Sequence, residues 1–473
     1  MASPSTDSRP RRATARCAAL LTCAIAAACG GAGEDPGAGR PNVILISLDT
    51  LRQDRCGFHG YGRDTTPFLD ELASESLVFE NARATAPWTL ISHMTMFTGL
   101  YPAQHKVWAA EAALAESVPT MPELLSDAGA AAVGVHFPGW LDARFGYGRG
   151  FLEYRSARDA ELARAQLDEV TAALEGRWSF LFLHLFDIHS DSLDVDGSLI
   201  YDTPAPYDTM FDPEAREVLA GMDAKAVFEV IPEEFTERQR EAVRALYDGG
   251  IRYLDDRLRA WFTEWRARGL LDSAIVIITS DHGEGLGYRE QGFGGHGQMF
   301  EEGLRVPLLV HATPGARRWL EDHREVPSGQ LEGRSEALVS HVDLVPTLLD
   351  AFDLPASMEY PGTSLLRQVP EDRWIHAQRP PLWISYRGAD KVRYDKKGGL
   401  FGYVDLAADP AGIEELGRRD RPTIERAAAL AKEALAAARA LPDPGAAGAS
   451  GGLSDAERAG LRAIGYGAET ERR

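Results

Sequence analysis

Long apolar runs that end in polar residues are the clearest pattern along the chain. The three strongest lie at residues 42–48, 179–186 and 274–279. Runs of this kind are typical of strands buried on both faces of a parallel sheet. Shorter strand-like runs alternate with helical stretches, and they lie at 76–81, 131–137 and 305–311. The alternation predicts an α/β fold with a mostly parallel central sheet flanked by helices.

The pattern changes after Pro380. Short strand-like pieces at 382–386, 391–394 and 400–405 predict a small antiparallel subdomain, and an Ala-rich helix is expected near 421–440. We therefore divide the chain into a signal segment at 1–29, a flexible tether at 30–40, a main α/β domain at 41–380, a C-terminal subdomain at 381–440, and a linker with a terminal short helix at 441–473.

A short helix is predicted to begin near Thr89 and to end near Thr98, where Gly99 supplies a stop. Thr89 would then lie at a helix N-terminus, where free N–H groups and the helix dipole favour negative charge. Ser92 and His93 follow three and four residues later, on the same helix face. Taken alone, the stretch also fits an ordinary helix with a capping Thr.

Each of the three long runs ends in acidic or imidazole side chains. Asp49 follows the first run, Asp187 and His189 follow the second, and Asp281 and His282 follow the third. Ligands of open α/β sheets bind at the carboxyl ends of strands. Each residue singly could cap a following helix, but together with the Thr they indicate a site.

The donor set of this site mixes carboxylate oxygens, a hydroxyl and imidazole nitrogen. It suits Zn²⁺ or Mn²⁺ better than Ca²⁺, which prefers oxygen ligands alone. A metal ion bound to the Thr89 oxygen would lower the pKa of the hydroxyl and activate it as a nucleophile.

The net charge of the chain is −21. A field of this sign argues against nucleic acid or an anionic membrane surface as the main partner. It would also repel an anionic substrate, so such a substrate needs a strongly positive local site, which a metal ion would provide.

The N-terminal segment is predicted to be an export signal. Arg residues precede an apolar stretch at 17–28 that is too short to span a bilayer comfortably. Small residues before Cys29 and a Gly-rich tether after it resemble a bacterial lipoprotein signal; an ordinary signal peptide or a disordered tail are the alternatives. We expect an exported protein that is lipid-anchored in the bacterial envelope (periplasm or outer membrane). Only Cys56 lies beyond this segment, which leaves no intramolecular disulfide.

Several segments together resemble the sulfatase branch of the alkaline phosphatase superfamily, from about Pro41 to residue 405. They are 41–52, 89–102, 279–284, 295–297, 305–307 and 341–349. The resemblance implies a metal-dependent hydrolase that acts on an anionic ester of a small molecule, glycan or lipid.

Three departures from the sulfatase pattern matter for the chemistry. The window that carries C/S-x-P-S-R in sulfatases is Thr89-Leu-Ile-Ser-His93 here, and Thr cannot be converted to formylglycine. The second Asp of the usual pair is Thr50, and the usual Asp-Asn ligand pair is Asp281-His282. This combination resembles the phosphoryl-handling members of the superfamily.

The resemblance implies roles for individual residues. One metal ion would be held by Asp49, Thr89, Asp281 and His282. His93 replaces the Arg that normally steadies the nucleophile.

The substrate side of the site follows from the same resemblance. His189 and His296 match positions that bind the transferred group or protonate the leaving oxygen. Asp187 is expected beside them, in substrate binding or in a second metal site. Arg52 is either a surface residue or a neighbour of the site.

The leading hypothesis is hydrolysis of a phosphate or phosphonate ester, favoured over a sulfate ester, through a covalent Thr89 intermediate. The alternatives are a sulfuric ester hydrolase of the arylsulfatase type, a phosphoryl-group transferase and a catalytically silent binding protein. The transferases usually carry several membrane helices, whereas this chain shows one short apolar segment, and this difference favours hydrolysis.

Overall fold

The structure is a computed structural model that describes residues 39–190, 200–222, 235–286, 299–412, 421–445, 447–450 and 454. The predicted signal segment, most of the tether, His296 and the predicted terminal helix lie outside the described residues.

The strands and helices alternate along the main domain. The strands are β1 (Asn42–Leu48), β2 (Leu77–Arg83), β3 (Ala112–Ala113), β4 (Ala131–His136), β5 (Glu153–Ser156), β6 (Ser179–Leu185), β7 (Ala274–Thr279), β8 (Leu308–Ala312), β9 (Gly333–Ser340), β10 (Ile375–Arg379), β11 (Leu382–Arg387), β12 (Asp390–Asp395), β13 (Leu400–Asp405) and β14 (Gly448–Ala449). The helices are α1 (Pro67–Ala73), α2 (Thr89–Thr98), α3 (Pro102–His105), α4 (Met121–Asp127), α5 (Ala160–Ala172), α6 (Tyr207–Met210), α7 (Ala215–Val218), α8 (Glu237–Ala267), α9 (Glu301–Leu304), α10 (Pro314–Arg324), α11 (Leu344–Phe352) and α12 (Arg421–Arg439).

The main sheet has the strand order β5-β4-β6-β1-β7-β8-β2-β9. Its strands are parallel except β8, which runs antiparallel to both β7 and β2. The predicted mostly parallel sheet is therefore confirmed. The sequence pattern did not indicate β5 and β9, because these strands are only partly buried and lack an apolar run.

The register of the central strands brings the polar ends of the three long runs together. β1 lies between β6 and β7, with Ser47 paired to His184 on one side and to Thr279 on the other. Side chains of alternate β1 residues enter two apolar cores, one on each face of the sheet. Val43 and Leu45 join the core that contains α2, whereas Ile44 and Ile46 join the core that contains α8.

The C-terminal sheet is antiparallel, in the order β10-β11-β12-β13. Its first strand, Ile375–Arg379, precedes the predicted boundary at 380. Helix α12 packs on β12 and β13 through apolar residues such as Leu430 and Leu435. Part of the predicted linker is paired, since Gly448–Ala449 forms a two-stranded sheet with Ala112–Ala113. Within the described ranges, none of the helices combines the length and apolar composition that a membrane span requires.

Candidate active site

Helix α2 begins at Thr89, as the sequence predicts. Its N-cap is Trp88, in an extended conformation with no side-chain cap, so the alternative in which Thr89 is the capping residue is wrong. The helix ends at Thr98, and the following Gly99 has a φ of +68° and donates its N–H to the Thr95 carbonyl. A Cβ at Gly99 would lie 2.8 Å from Val345, so both the left-handed backbone and the packing require glycine.

Four of the predicted site residues meet at the carboxyl ends of β1 and β7. Ligand atoms of Asp49, Asp281 and His282 all lie within 4.8 Å of one another, and the three residues are buried. The Nε2 atom of His282 is 3.3 Å from Asp281 Oδ2 and 3.9 Å from Asp49 Oδ1. The Oγ1 atom of Thr89 lies 3.5 Å from Asp49 Oδ2 and 3.4 Å from His282 Nε2.

In Asp49, Asp281 and His282, hydrogen bonds to neighbouring groups use one side-chain atom, and the other atom faces the candidate metal site. His282 donates from Nδ1 to the Gly283 carbonyl (2.9 Å), and Asp281 Oδ1 accepts from the backbone N–H groups of Thr50 and His282. Among the described residues, Asp49 Oδ1 and Asp281 Oδ2 have no hydrogen-bond partner. Buried carboxylate oxygens without donors are costly. The donor set therefore fits a cation.

The two carboxylates repel each other in the absence of a cation. Burial and the neighbouring Asp281 raise the pKa of Asp49 well above its usual value. Burial would also raise the pKa of Asp281, but His282 and His93 outweigh it and lower that pKa to about 2. A bound cation would lower the pKa of Asp49 and so favour the ionised form of both groups.

His93 joins strand β1 to the first turn of α2. Its Nδ1 donates to the Thr89 carbonyl (3.0 Å) and lies 3.6 Å from Asp281 Oδ2. Its Nε2 accepts from the Ser47 hydroxyl at 2.9 Å. Burial lowers the pKa of His93 to about 3, so the ring is neutral. These contacts steady the helix start on which Thr89 lies.

His189 and Asp187 follow β6. His189 is buried, donates from Nδ1 to the Ser190 carbonyl (2.8 Å) and stacks on Phe186. Burial, and to a smaller extent the charge of His282, lowers the pKa of His189 to about 3. Asp187 accepts from the Ala160 N–H (3.0 Å) and so contributes to the N-terminus of α5.

The chain turns sharply after Asp49. Thr50 has a φ of +58°, which is unfavourable for a β-branched residue. Tyr247 on α8 stabilises this turn, because its hydroxyl donates to the Thr50 carbonyl (2.8 Å) and accepts from the Arg52 N–H (3.0 Å). In this conformation the backbone N–H of Thr50 donates to Asp281 Oδ1.

Arg52 is buried, so its interpretation as a surface residue is wrong. Its guanidinium pairs with Asp54 and Glu302 and donates to the Glu284 carbonyl (2.9 Å). Glu284 is itself fully buried, and burial raises its pKa to about 7. Arg52 thus stabilises the loop that follows Asp281 and His282 at the end of β7.

Two histidines of the site were not singled out from the sequence. His184 on β6 contacts Asp49 Oδ2 through Nε2 at 2.9 Å. His341 contacts the Ser92 hydroxyl through Nδ1 at 3.1 Å, and the same hydroxyl donates to the Asp281 carbonyl (2.6 Å). The signal for His184 was a single imidazole inside an otherwise apolar run next to β1.

A family model described as Sulfatase matches residues 41–354. The chain belongs to the sulfatase family of the alkaline phosphatase superfamily. It is a hydrolase that acts on ester bonds, in a family whose members depend on a metal ion.

Two curated relatives are similar over most of the chain. The sulfatase YidJ of Escherichia coli (strain K12) is 24% identical over 71% of this chain and 72% of its own length. The choline-sulfatase of Rhizobium meliloti (strain 1021) is 22% identical over 85% of this chain and 87% of its own length.

Solved structures confirm the predicted fold class. The phosphonate monoester hydrolase of Agrobacterium radiobacter has a TM-score of 0.66 at 19% identity, covering 85% of this chain and 96% of that chain. A 2-O GAG sulfatase has a TM-score of 0.63 at 19% identity, covering 84% and 91%. Both kinds of ester hydrolase thus share this fold.

Proposed function

We propose that this sulfatase-family enzyme hydrolyses a phosphate or phosphonate ester, in preference to a sulfate ester, through a covalent Thr89 intermediate. The observation that supports the proposal is the position of Thr89 Oγ1. It lies 3.4 and 3.5 Å from atoms of the candidate metal group, at the first residue of a buried helix. A hydroxyl so placed is a usable nucleophile beside a positive helix end.

The residues that would hold a divalent cation are Asp49, Thr89, Asp281 and His282. When bound, the cation supplies positive charge that lowers the pKa of the Thr89 hydroxyl and stabilises charge on the ester oxygens. The imidazole nitrogen favours Zn²⁺ or Mn²⁺ over Ca²⁺.

Thr89 performs the attack in this proposal. Its Oγ1 forms a bond to phosphorus while the bond from phosphorus to the leaving oxygen breaks. The Thr89 hydroxyl donates its hydrogen bond to Asp49 Oδ2, which gives the proton a nearby acceptor. Water then attacks the same phosphorus and gives a proton to the residue that protonated the leaving oxygen. The bond from phosphorus to Thr89 Oγ1 breaks, and Oγ1 regains its proton from Asp49. Because Thr cannot form an aldehyde, release depends on attack at the central atom.

His189 is the proposed general acid toward the leaving oxygen. Its Nδ1 proton is committed to the Ser190 carbonyl, so Nε2 is the nitrogen that exchanges a proton. An anionic ester bound beside it would raise its pKa from about 3 toward neutrality. General acid help of this kind contributes about 10²–10⁴-fold. His296 and Asp187 are proposed to contribute to substrate binding.

The test is a substrate panel on the purified protein with added Mn²⁺ or Zn²⁺. We expect faster turnover of an aryl phosphodiester and a phosphonate monoester than of an aryl sulfate. Thr89→Ala should lose at least about 10³-fold in kcat, because the nucleophile is gone. Thr89→Ser, which keeps a hydroxyl at the same helix start, is the matched control and should retain activity. Full activity of Thr89→Ala would disprove the assignment.

We also propose that the protein is exported and anchored through lipid on Cys29. The support is the apolar stretch at 17–28 followed by small residues and Cys29. Metabolic labelling with palmitate in a bacterial host should mark the wild type and leave Cys29→Ala unlabelled. Equal labelling of both would rule out Cys29 as the anchor.

A further inference from the structure

His184 lies on β6, the strand that pairs with β1 on the side opposite β7. Its register partner on β1 is Ser47, two residues before Asp49. The side chain is buried and makes two hydrogen bonds through its ring. The Nδ1 atom accepts from the backbone N–H of Phe137 at 3.2 Å, and Nε2 contacts Asp49 Oδ2 at 2.9 Å. One imidazole therefore links the chain after β4 to the predicted metal ligand after β1.

The partners of His184 determine its tautomer. A backbone N–H can only donate, so Nδ1 must present its lone pair to Phe137 and cannot carry a proton. The remaining ring proton is then on Nε2, which donates it to Asp49 Oδ2. The ring is thus held as a neutral donor by the backbone on one side and by the carboxylate on the other.

The two carboxylate oxygens of Asp49 have different surroundings. Oδ2 receives the His184 N–H and the Thr89 hydroxyl, whereas Oδ1 has no hydrogen-bond partner among the described residues. That Oδ1 lies 3.9 Å from His282 Nε2. A carboxylate fixed through one oxygen cannot rotate freely, so its other oxygen keeps one direction.

We infer that His184 is a positioning residue for metal binding: its Nε2–H occupies Asp49 Oδ2 and directs Asp49 Oδ1 to the cation. The inference rests on the metal site of the proposed function. Donors that orient a ligating carboxylate typically change metal affinity 10–100-fold when they are removed. The edge-to-face contact of the His184 ring with His93, at 4.8 Å, further restricts its orientation.

Two substitutions of His184 distinguish the effect of its Nε2–H donor from the effect of the volume of its ring. Gln places its amide near the position of Nε2 and can still donate to Asp49. Asn places its amide near Nδ1, so it can accept from Phe137 but cannot reach Asp49. His311→Asn is the matched control, because His311 is a buried imidazole on β8 of the same sheet that contacts Ser76.

The measurement is the dissociation constant for Mn²⁺, and separately for Zn²⁺, by titration calorimetry on the chelator-treated full chain. We expect His184→Asn to weaken binding 10–100-fold. His184→Gln and His311→Asn should stay near the wild-type value. The kcat of His184→Asn should recover as Mn²⁺ is raised, because the nucleophile is intact. Thermal unfolding with chelator checks that each variant is folded.

Three results would overturn the inference. Wild-type Mn²⁺ affinity in folded His184→Asn would show that the donor does not position Asp49. Equal weakening in the Gln and Asn variants would show that ring packing, not the N–H, is responsible. A wild-type chain that binds neither cation would overturn this inference together with the metal site. Failure to hydrolyse the ester panel, with the predicted affinities intact, would refute the proposed reaction alone.

Discussion

Two groups of buried carboxylates in the molecule have different surroundings. One group is Asp49 and Asp281, at the ends of β1 and β7. The other is Glu301, which lies at the junction with the C-terminal sheet. Glu301 lies 3.0 Å from both the Arg83 guanidinium and the Lys391 ammonium, and accepts from the Tyr386 hydroxyl at 2.8 Å. Asp49 and Asp281 are instead surrounded by histidines and backbone N–H groups, without a Lys or Arg among their ion pairs in the described ranges.

The pKa values of the two clusters follow from this difference. Burial alone would raise the pKa of Glu301, but Arg83 and Lys391 outweigh it and lower the pKa to about 2. In the other cluster the pKa of Asp49 is raised, because burial and Asp281 act in the same direction, whereas the histidines, and not a Lys or Arg, lower the pKa of Asp281 to about 2. A buried carboxylate that is paired with Lys and Arg side chains, like Glu301, has a structural role. A pair of buried carboxylates without such partners, like Asp49 and Asp281, is suited to bind a metal cation.

The largest expected effect is on catalysis. Asp281→Asn removes one charge from the candidate metal group and should reduce kcat by at least about 10³-fold, with metal affinity lost in parallel. In chelator, its free energy of unfolding should fall by less than in Glu301→Gln, because Asn keeps an oxygen for the two backbone donors and relieves the repulsion with Asp49, which offsets the lost attraction to His282 and His93. Activity assays and chemical denaturation with chelator would measure both. Strong destabilisation in chelator would mean that Asp281 is structural, like Glu301.

Glu301→Gln should have the opposite profile. It leaves Arg83 and Lys391 buried without their anion, so the free energy of unfolding should fall by about 3–5 kcal/mol. Activity per folded molecule should change far less than in Asp281→Asn. Denaturant unfolding compared with kcat would check this, and an unchanged unfolding midpoint would contradict the balanced-charge explanation.

The pH dependence of the unfolding free energy tests whether the charge of Glu301 is what stabilises the fold. The pKa of Glu301 in the folded protein, about 2, lies below its unfolded value of about 4.3. The stabilisation is therefore present above about pH 5 and is lost as the pH falls toward 2. The difference in unfolding free energy between wild type and Glu301→Gln should narrow from pH 6 to pH 3. A constant difference would show that the carboxylate charge is not what stabilises the junction.

Removal of the metal ion should change the Tm by an intermediate amount. The effect should depend on the cluster of Asp49 and Asp281 and not on Glu301. A cation at 100 times its dissociation constant stabilises the folded state by about 2.7 kcal/mol, so chelation should lower the Tm of the wild type. The Tm of Asp281→Asn should not respond to chelator, and that of Glu301→Gln should respond as the wild type does. Thermal unfolding with and without chelator distinguishes these cases.

The smallest effect is expected for Tyr386→Phe. It removes one hydrogen bond to Glu301 but leaves both cations, so the cost should be about 1.5 kcal/mol. Denaturation at pH 7 would measure it. A cost as large as that of Glu301→Gln would mean that the hydroxyl, rather than the cations, holds the carboxylate.

Local pattern was sufficient for much of the fold and for the core of the candidate site. The apolar runs before Asp49 and Asp281 predicted β1 and β7, because a strand buried on both faces needs apolar side chains throughout. Gly99 predicted the end of α2, since few other residues adopt its left-handed backbone. The family motif then related Thr89, Asp49, Asp281 and His282 to one another.

Strand register and long-range contacts decided the rest. His184 is one residue inside an apolar run, and only the pairing of β6 with β1 brings it to Asp49. Arg52 is buried, and one of its partners is Glu302, which lies 250 positions later in the chain. Such contacts join residues that are far apart in the sequence, and no periodic pattern of the sequence predicts them. Sequence therefore indicated the candidate side chains of the site, and the folded chain determined which atom of each faces that site.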